Sequence, residues 1–415
     1  MKREFFEGNR KVMEEAMSEG SVLLVFAGHA PFKTGDEYYP FFTDRNFYYL
    51  TGITQKENLI LLIEKRNGIK ETLFILPPDE HAERWTGARI KDYEVREICG
   101  ITDCLYVQDF DAYFHRLMNK GVFETVYLDL YKASAGVEDR EAHKMAKRIA
   151  DLYPGEEIRD ISRQFRLQRT HKQPCEIEAM RESTKITKAG IEAMMKASKP
   201  GMYEYQYKAV WDHALAMRGC LAPGFPSIIC AGNNNFCIHY YGYTGQAKDG
   251  DMVLNDVSAG FDNYMNDVSR GWPCNGKFTD KQKALYTCAY NTSEYMFSIV
   301  KPGMKMDDVD MIARRYNYEQ LKSIGLLDDY KDIGKYMWHK GAHHVGLDVH
   351  DLVEAETVEP GMVFCIDIGI YVEEWGIGFR LEDNLLVTED GCENLTRDIP
   401  RTIEEIESFM AGNNA

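Results

Sequence analysis

Two ribbons of sequence, VLNDVSAGFDNYMNDVSR (253–270) and CIDIGIYVEEWGIGFRLED (365–383), restrict this chain more than any other feature. Each reads as two short strands around a turn. In the first, a turn centred between Phe261 and Asp262 leaves Asp256 and Asp267 equally far out. In the second, a centre between Glu374 and Trp375 does the same for Asp367 and Glu382. Directly opposed residues of an antiparallel pair share a face, with Cβ atoms about 4.5–5.5 Å apart. Like charges there repel, and Asp is a poor strand former. Two such pairs call for positive charge between them. Lys or Arg side chains could supply it, and so could divalent metals, which suit carboxylate oxygens. Facing acids also fit paired metals about 3.5–4 Å apart.

The ribbons sit in a loose repeat. SKPGMYEYQYKAVWDHALAMRG (198–219) and VKPGMKMDDVDMIARRYNYEQLKSIG (300–325) share a helix end, a K-P-G-M turn and a second helix with an acidic start. Gly201 and Gly303 mark equivalent places. Each unit is followed by one acid-bearing ribbon, so a duplicated half-domain is expected. A nitrogen donor is available in WHKGAHHVGLDVHD (338–351), which holds His339, His343, His344 and His350 and reads more as loop than helix. Neutral imidazole is a common metal ligand. His239 lies apart, in an aromatic, Asn-rich loop.

The first part of the chain alternates apolar runs with helical stretches. Residues 21–28, 58–65, 72–77 and 125–130 read as buried strands, and 115–121 and 140–153 as helices, which is an α/β pattern. The polar stretch 155–173 precedes Pro174, a residue suited to the first turn of a long helix. A boundary near residue 160 gives domains 1–160 and 161–415. A length of 415 residues fits two domains.

The net charge of −17 disfavours nucleic acid and anionic membrane as partners. No apolar run is long enough to span a bilayer, and the charged N-terminus is unlike a signal peptide. Ten scattered cysteines without a C-x-x-C pair read as free thiols in a reducing, cytoplasmic setting.

The order Asp256, Asp267, His343, Asp367, Glu382 resembles the Asp, Asp, His, Glu, Glu metal set of the pita-bread (creatinase-fold) metallopeptidases. Within them the likeness is to aminopeptidase P, the Xaa-Pro aminopeptidases, and next to prolidase. DRNFYYLTGI (44–53) and ERWTGAR (83–89) resemble the family's N-terminal domain. CNGKFTDKQKALY, HHVGLDVHD, GIGFRLEDNLLVTEDGCENLT and IEEIESFM resemble its catalytic domain. The resemblance implies an α/β N-terminal domain followed by a pita-bread catalytic domain, a duplicated α+β fold. It implies two divalent ions, manganese first, with cobalt, iron or zinc as alternatives. Asp267 and Glu382 would bridge the ions, Asp256 would complete one shell, and His343 and Asp367 the other. His239, His339 and His350 match histidines that line the family's pocket, and Arg380 the arginine before the second bridging acid. Arg380 is expected on the face of Glu382, opposite Gly369, where a small residue leaves room. His344 is expected to be structural. Trp85 matches a tryptophan that reaches a neighbouring subunit's site, and the family suggests a homodimer or homotetramer.

The implied reaction is removal of an N-terminal residue before proline. Asp367 would act as ligand and proton acceptor, with His339 and His350 steadying the oxyanion. The chain departs from the family where IDIG (366–369) replaces Val-Glu-Pro-Gly. Asp367 is shorter than glutamate by one carbon, about 1.5 Å. Asn255 and the sequence SRGW are lesser departures. Prolidase-type dipeptide cleavage, creatinase-like hydrolysis of small amides or amidines, and an inactive interaction protein on the same fold stay open as alternatives.

Overall fold

A computed structural model describes residues 1–54 and 56–412. The chain divides into two compact units, Met1–Gln168 and Arg169–Ala415.

The first unit is built on six strands: β1 (Ser21–Phe26), β2 (Ile60–Lys65), β3 (Ile69–Ile75), β4 (Asp103–Tyr106), β5 (Thr125–Leu128) and β6 (Glu157–Asp160). Their order is β4-β3-β2-β1-β5-β6. β1, β2 and β3 pair antiparallel, and β4, β5 and β6 join in parallel. The central strands read as unbroken apolar runs because helices cover the sheet. Val22, Leu24, Leu62, Phe74 and Val126 pack with Phe110, Phe114 and Ile149. β4 and β6 are edge strands with largely exposed side chains, so neither has an apolar run to announce it. The polar stretch expected to hold the domain boundary contains β6 and a helix, Ser162–Thr170.

The second unit repeats a helix pair and a three-stranded sheet. The first copy has α1 (Pro174–Ala197), α2 (Glu204–Ala216), β7 (Ile228–Ala231), β8 (Met252–Val257) and β9 (Val268–Pro273). The second has α3 (Asp280–Ile299), α4 (Met306–Ser323), β10 (Val363–Val372), β11 (Ile377–Val387) and β12 (Cys392–Asn394). The sheets run β9-β8-β7 and β10-β11-β12. Pro174 opens α1, where a missing N–H costs nothing.

The two K-P-G-M turns are matched down to their hydrogen bonds. Gly201 and Gly303 both take positive φ, +85° and +89°. Gly201 N–H donates to Ala247 and Gly303 N–H to Val358; Ala247 and Val358 return bonds to Met202 and Met304. One core contains residues of both copies, among them Trp211, Trp272, Tyr286, Phe364, Ile368 and Phe379. Gly271 permits close approach of the sheets, since a Cβ there would lie 2.7 Å from that of Phe379.

The second ribbon has the expected register: Asp367 faces Glu382 and Gly369 faces Arg380. The first does not. Asp256 faces Ser269, and Val257 faces Val268. The turn is centred one residue later, between Asp262 and Asn263, which take φ of 49° and 67°. Asp and Asn tolerate this left-handed conformation, which a two-residue hairpin turn demands. Moving the turn by one residue changes each partner by two. Parity survives, so Asp267, two positions before Ser269, keeps its side chain on the face of Asp256.

Candidate metal centre

The residues singled out between 239 and 382 all belong to the second unit. β8 carries Asp256, the start of β9 is preceded by Asp267, and β10 and β11 carry Asp367 and Glu382. His343 arrives on an irregular segment that runs beside β10. Cys365 N–H donates to His343 O, Asp367 N–H to Gly341 O, and Val345 N–H to Val363 O. Side chains alternate along this segment. His343 turns to the acids, while His344 packs its ring on Phe364, where burial pushes its pKa down to about 4.

Donor atoms of Asp256, Asp267 and Glu382 lie within 4.8 Å of one another. So do those of Asp267, His343 and His350, and those of His343, Cys365 and Glu382. His343 Nε2 is 3.5 Å from Asp267 Oδ2 and 3.6 Å from Glu382 Oε1. Asp367 belongs to none of these groups; its Oδ2 is 3.0 Å from His339 Nδ1. Cys365 is a donor the ribbon pattern did not single out. The signal was present, because residue 365 is two positions from Asp367 and shares its strand face.

Four buried carboxylate oxygens, Asp256 Oδ1, Asp267 Oδ1, Asp367 Oδ1 and Glu382 Oε1, have no hydrogen-bond partner among the described residues. Unpaired acceptors in so dry a place are costly unless a cation or proton answers them. Burial, reinforced by the charges of Glu382 and Asp256, drives the Asp267 pKa well up. Burial likewise raises Asp256, against the pull of Arg380. The donor set fits divalent cations: carboxylate oxygens, one imidazole, and orphaned lone pairs converging on a small volume.

A surrounding layer fixes these acids. Arg380 donates from Nη2 to Asp256 Oδ2 at 2.9 Å and from Nη1 to the Tyr371 hydroxyl at 3.1 Å. That hydroxyl is 3.0 Å from His339 Nε2, so both His339 nitrogens are engaged. The room at Gly369 is taken by His339 rather than by Arg380: a Cβ there would be 2.2 Å from His339 Nε2. Ser269 Oγ donates to Glu382 Oε2 at 2.9 Å. Asp267 N–H donates to Asn384 Oδ1 at 2.9 Å, and Asn384 Nδ2 returns a bond to Asp267 O at 2.8 Å. Beneath Glu382, Arg270 donates to the Glu382 carbonyl and to Asp383 Oδ1, both at 2.7 Å. Arg401 Nε reaches Asp383 Oδ2 at 3.1 Å. Asn255 spends its amide on the Arg270 carbonyl.

His350 is exposed, its ring 4.4 Å from that of His343. Burial and the neighbouring His343 lower its pKa. His239 is exposed on a loop whose Ile238 carbonyl accepts from Arg380 Nη1 at 3.3 Å. That loop is fastened by Glu204, which is fully buried. It accepts from Ala231 N–H at 2.9 Å, Asn234 Nδ2 at 2.9 Å, the Tyr240 hydroxyl at 2.8 Å and Gly245 N–H at 2.7 Å. In the first unit, Trp85 is 79% exposed.

Residues 178–389 match metallopeptidase family M24, and residues 6–127 match the aminopeptidase P N-terminal domain. The chain belongs to metallopeptidase family M24. Its fold is the aminopeptidase P N-terminal domain followed by the pita-bread catalytic domain of that family. This M24 chain is 29% identical to the Xaa-Pro aminopeptidase of Escherichia coli, over 98% of each sequence. A zinc-substituted E. coli aminopeptidase P in complex with product superposes with a TM-score of 0.90 at 27% identity, covering 100% of this chain and 99% of the other. A Bacillus anthracis chain, given only a provisional assignment as an aminopeptidase P, gives 0.97 at 35% identity with full coverage of both. Membership of M24 implies divalent metal ions and peptide substrates. No described helix is long and apolar enough to cross a membrane.

Proposed function

We propose that this chain is a metal-dependent Xaa-Pro aminopeptidase that removes the N-terminal residue from peptides with proline in second position. The observation that carries the reading is the convergence of Asp256, Asp267, His343 and Glu382, whose three carboxylates each keep one unpartnered oxygen. Asp256, Asp267 and Glu382 would hold one ion, and His343 with the bridging acids a second. Manganese suits the oxygen-rich end. Bound ions would supply Lewis acidity, making a water nucleophilic near neutral pH and polarising the scissile carbonyl.

The chain's own groups then divide the work. Asp367 takes the proton of the attacking water on Oδ1 and passes it to the leaving imino nitrogen. His339 orients Asp367 through Oδ2, and Tyr371 fixes the His339 ring. This gives His339 a positioning role in place of the oxyanion contact expected from sequence. His350, with its lowered pKa, stays neutral at pH 7 and donates an N–H toward the developing oxyanion. Arg380 holds Asp256 in place and opposes the upward push of burial on its pKa. His239 lines the rim where the substrate enters. A cytoplasmic location and a homodimer or homotetramer, with exposed Trp85 at the contact, complete the reading.

The test is metal analysis of the purified protein followed by assay of Xaa-Pro peptides with manganese added. Asp267→Ala should lose both metal and hydrolysis. Retained hydrolysis in that variant would refute the assignment.

A further inference from the structure

Cys365 is fully buried and takes no part in the mechanism above. Strand alternation in β10 places Cys365, Asp367 and Gly369 on one face. Cys365 Sγ, a ring nitrogen of His343 and a carboxylate oxygen of Glu382 lie within 4.8 Å of one another. Glu382 is 2% exposed, and its Oε1 has no hydrogen-bond partner among the described residues. Asp367, the acid expected to serve beside His343, is instead held by His339 at 3.0 Å. Its shorter side chain leaves a coordination position beside His343, and the Cys365 sulfur lies close enough to fill it.

We propose that Cys365 Sγ ligates the ion at the His343 end of the centre, in the position that Asp367 gives up. The inference rests on the metal-binding reading and deepens it. The two ends of the centre then differ in kind. Asp256, Asp267 and Glu382 offer oxygen alone and suit a hard ion such as manganese. His343, Cys365 and Glu382 offer nitrogen, sulfur and oxygen and suit zinc, cobalt or iron. As the metal–sulfur bond forms, the S–H bond breaks and its proton leaves to solvent.

The full-length protein, stripped of metal and reloaded with zinc, is expected to show a sulfur neighbour at about 2.3 Å in zinc X-ray absorption. Reloaded with cobalt, it should develop a near-ultraviolet sulfur-to-cobalt charge-transfer band. That band should vanish in Cys365→Ser, and zinc affinity should fall by roughly tenfold or more. The wild-type absorption spectrum decides the matter even if the variant fails to fold. Ions bound with only nitrogen and oxygen neighbours would overturn the sulfur ligand and leave the centre standing. A cobalt band that persists in Cys365→Ser also overturns it. Absence of any bound ion would overturn both readings.

Discussion

His339 Nδ1 lies 3.0 Å from Asp367 Oδ2, and Asp367 belongs to none of the close donor groups of the centre. Burial disfavours the imidazolium, yet the charge and hydrogen bond of Asp367 outweigh it and raise the His339 pKa. The pair behaves as one unit, in which the ring keeps its orientation through Tyr371.

That unit depends on empty space at residue 369. In Gly369→Ala the new Cβ would meet His339 Nε2 at 2.2 Å and Tyr371 Cε2 at 2.9 Å. The ring must move, and Asp367 loses its partner. Turnover should fall by about 10²–10⁴-fold, the range for a mispositioned proton acceptor. Metal content should stay unchanged, because Asp256, Asp267, His343 and Glu382 are untouched. Parallel measurement of kcat and bound metal checks this.

Stability of the metal-free protein should fall as pH rises. Folding raises the pKa of Asp256 and Asp267, mainly through burial. The folded state therefore binds more protons than the unfolded chain. Its stabilisation by these groups is full below the unfolded carboxylate pKa of about 4 and is lost as pH climbs through the raised folded values. Asp351 and Asp383, held low by buried Arg and Lys partners despite their own burial, act in the opposite sense only in stronger acid. Divalent ions replace the protons on the centre. Thermal unfolding should show chelated protein less stable at about pH 8 than at about pH 5, with the trend reversed after metal loading.

Asp383→Asn tests the support beneath Glu382. Asp383 and Arg270 are both fully buried and paired at 2.7 Å, with Arg401 on the other oxygen. Removing one member of a buried ion pair strands the other charge and costs about 3–5 kcal/mol. The melting temperature should drop by roughly 10 °C. Calorimetry on the variant checks it.

Glu204→Gln should separate binding from turnover. The substitution puts an N–H group where donors from Ala231, Asn234, Gly245 and Tyr240 now converge. Loss of charge-assisted bonds worth about 1.5–3 kcal/mol loosens the loop that carries His239. KM should rise by about tenfold with kcat and metal content little changed. Steady-state kinetics on an Xaa-Pro peptide supply the readout.

The legible parts of the chain are those where a side-chain period meets a local rule. Asp367 opposite Glu382 could be read because the alternation of residues 365–383 is unbroken. The two helix pairs could be read because Gly201 and Gly303 end equivalent helices with the same turn. The first ribbon misled by one residue. Symmetric placement of its acids suggested a turn at Phe261, while the backbone preference of Asp262 and Asn263 decides for the next position. Edge strands β4 and β6 lacked an apolar signal. Cys365 shares the strand face of Asp367 and was legible there, whereas Glu204 and the Arg270–Asp383–Arg401 cluster act through partners on other elements, and spacing along one strand carries no trace of such contacts.

The paired bonds between Asn384 and Asp267 have a consequence for the history of the duplication. The Asn384 amide imitates a rung of sheet where no strand partner exists, and it stitches the first ribbon to the second. Asp267 of one copy is thereby located by a side chain of the other. What began as interchangeable halves have become obligate complements, and neither could be excised or swapped for its twin and still present its carboxylate at the proper height.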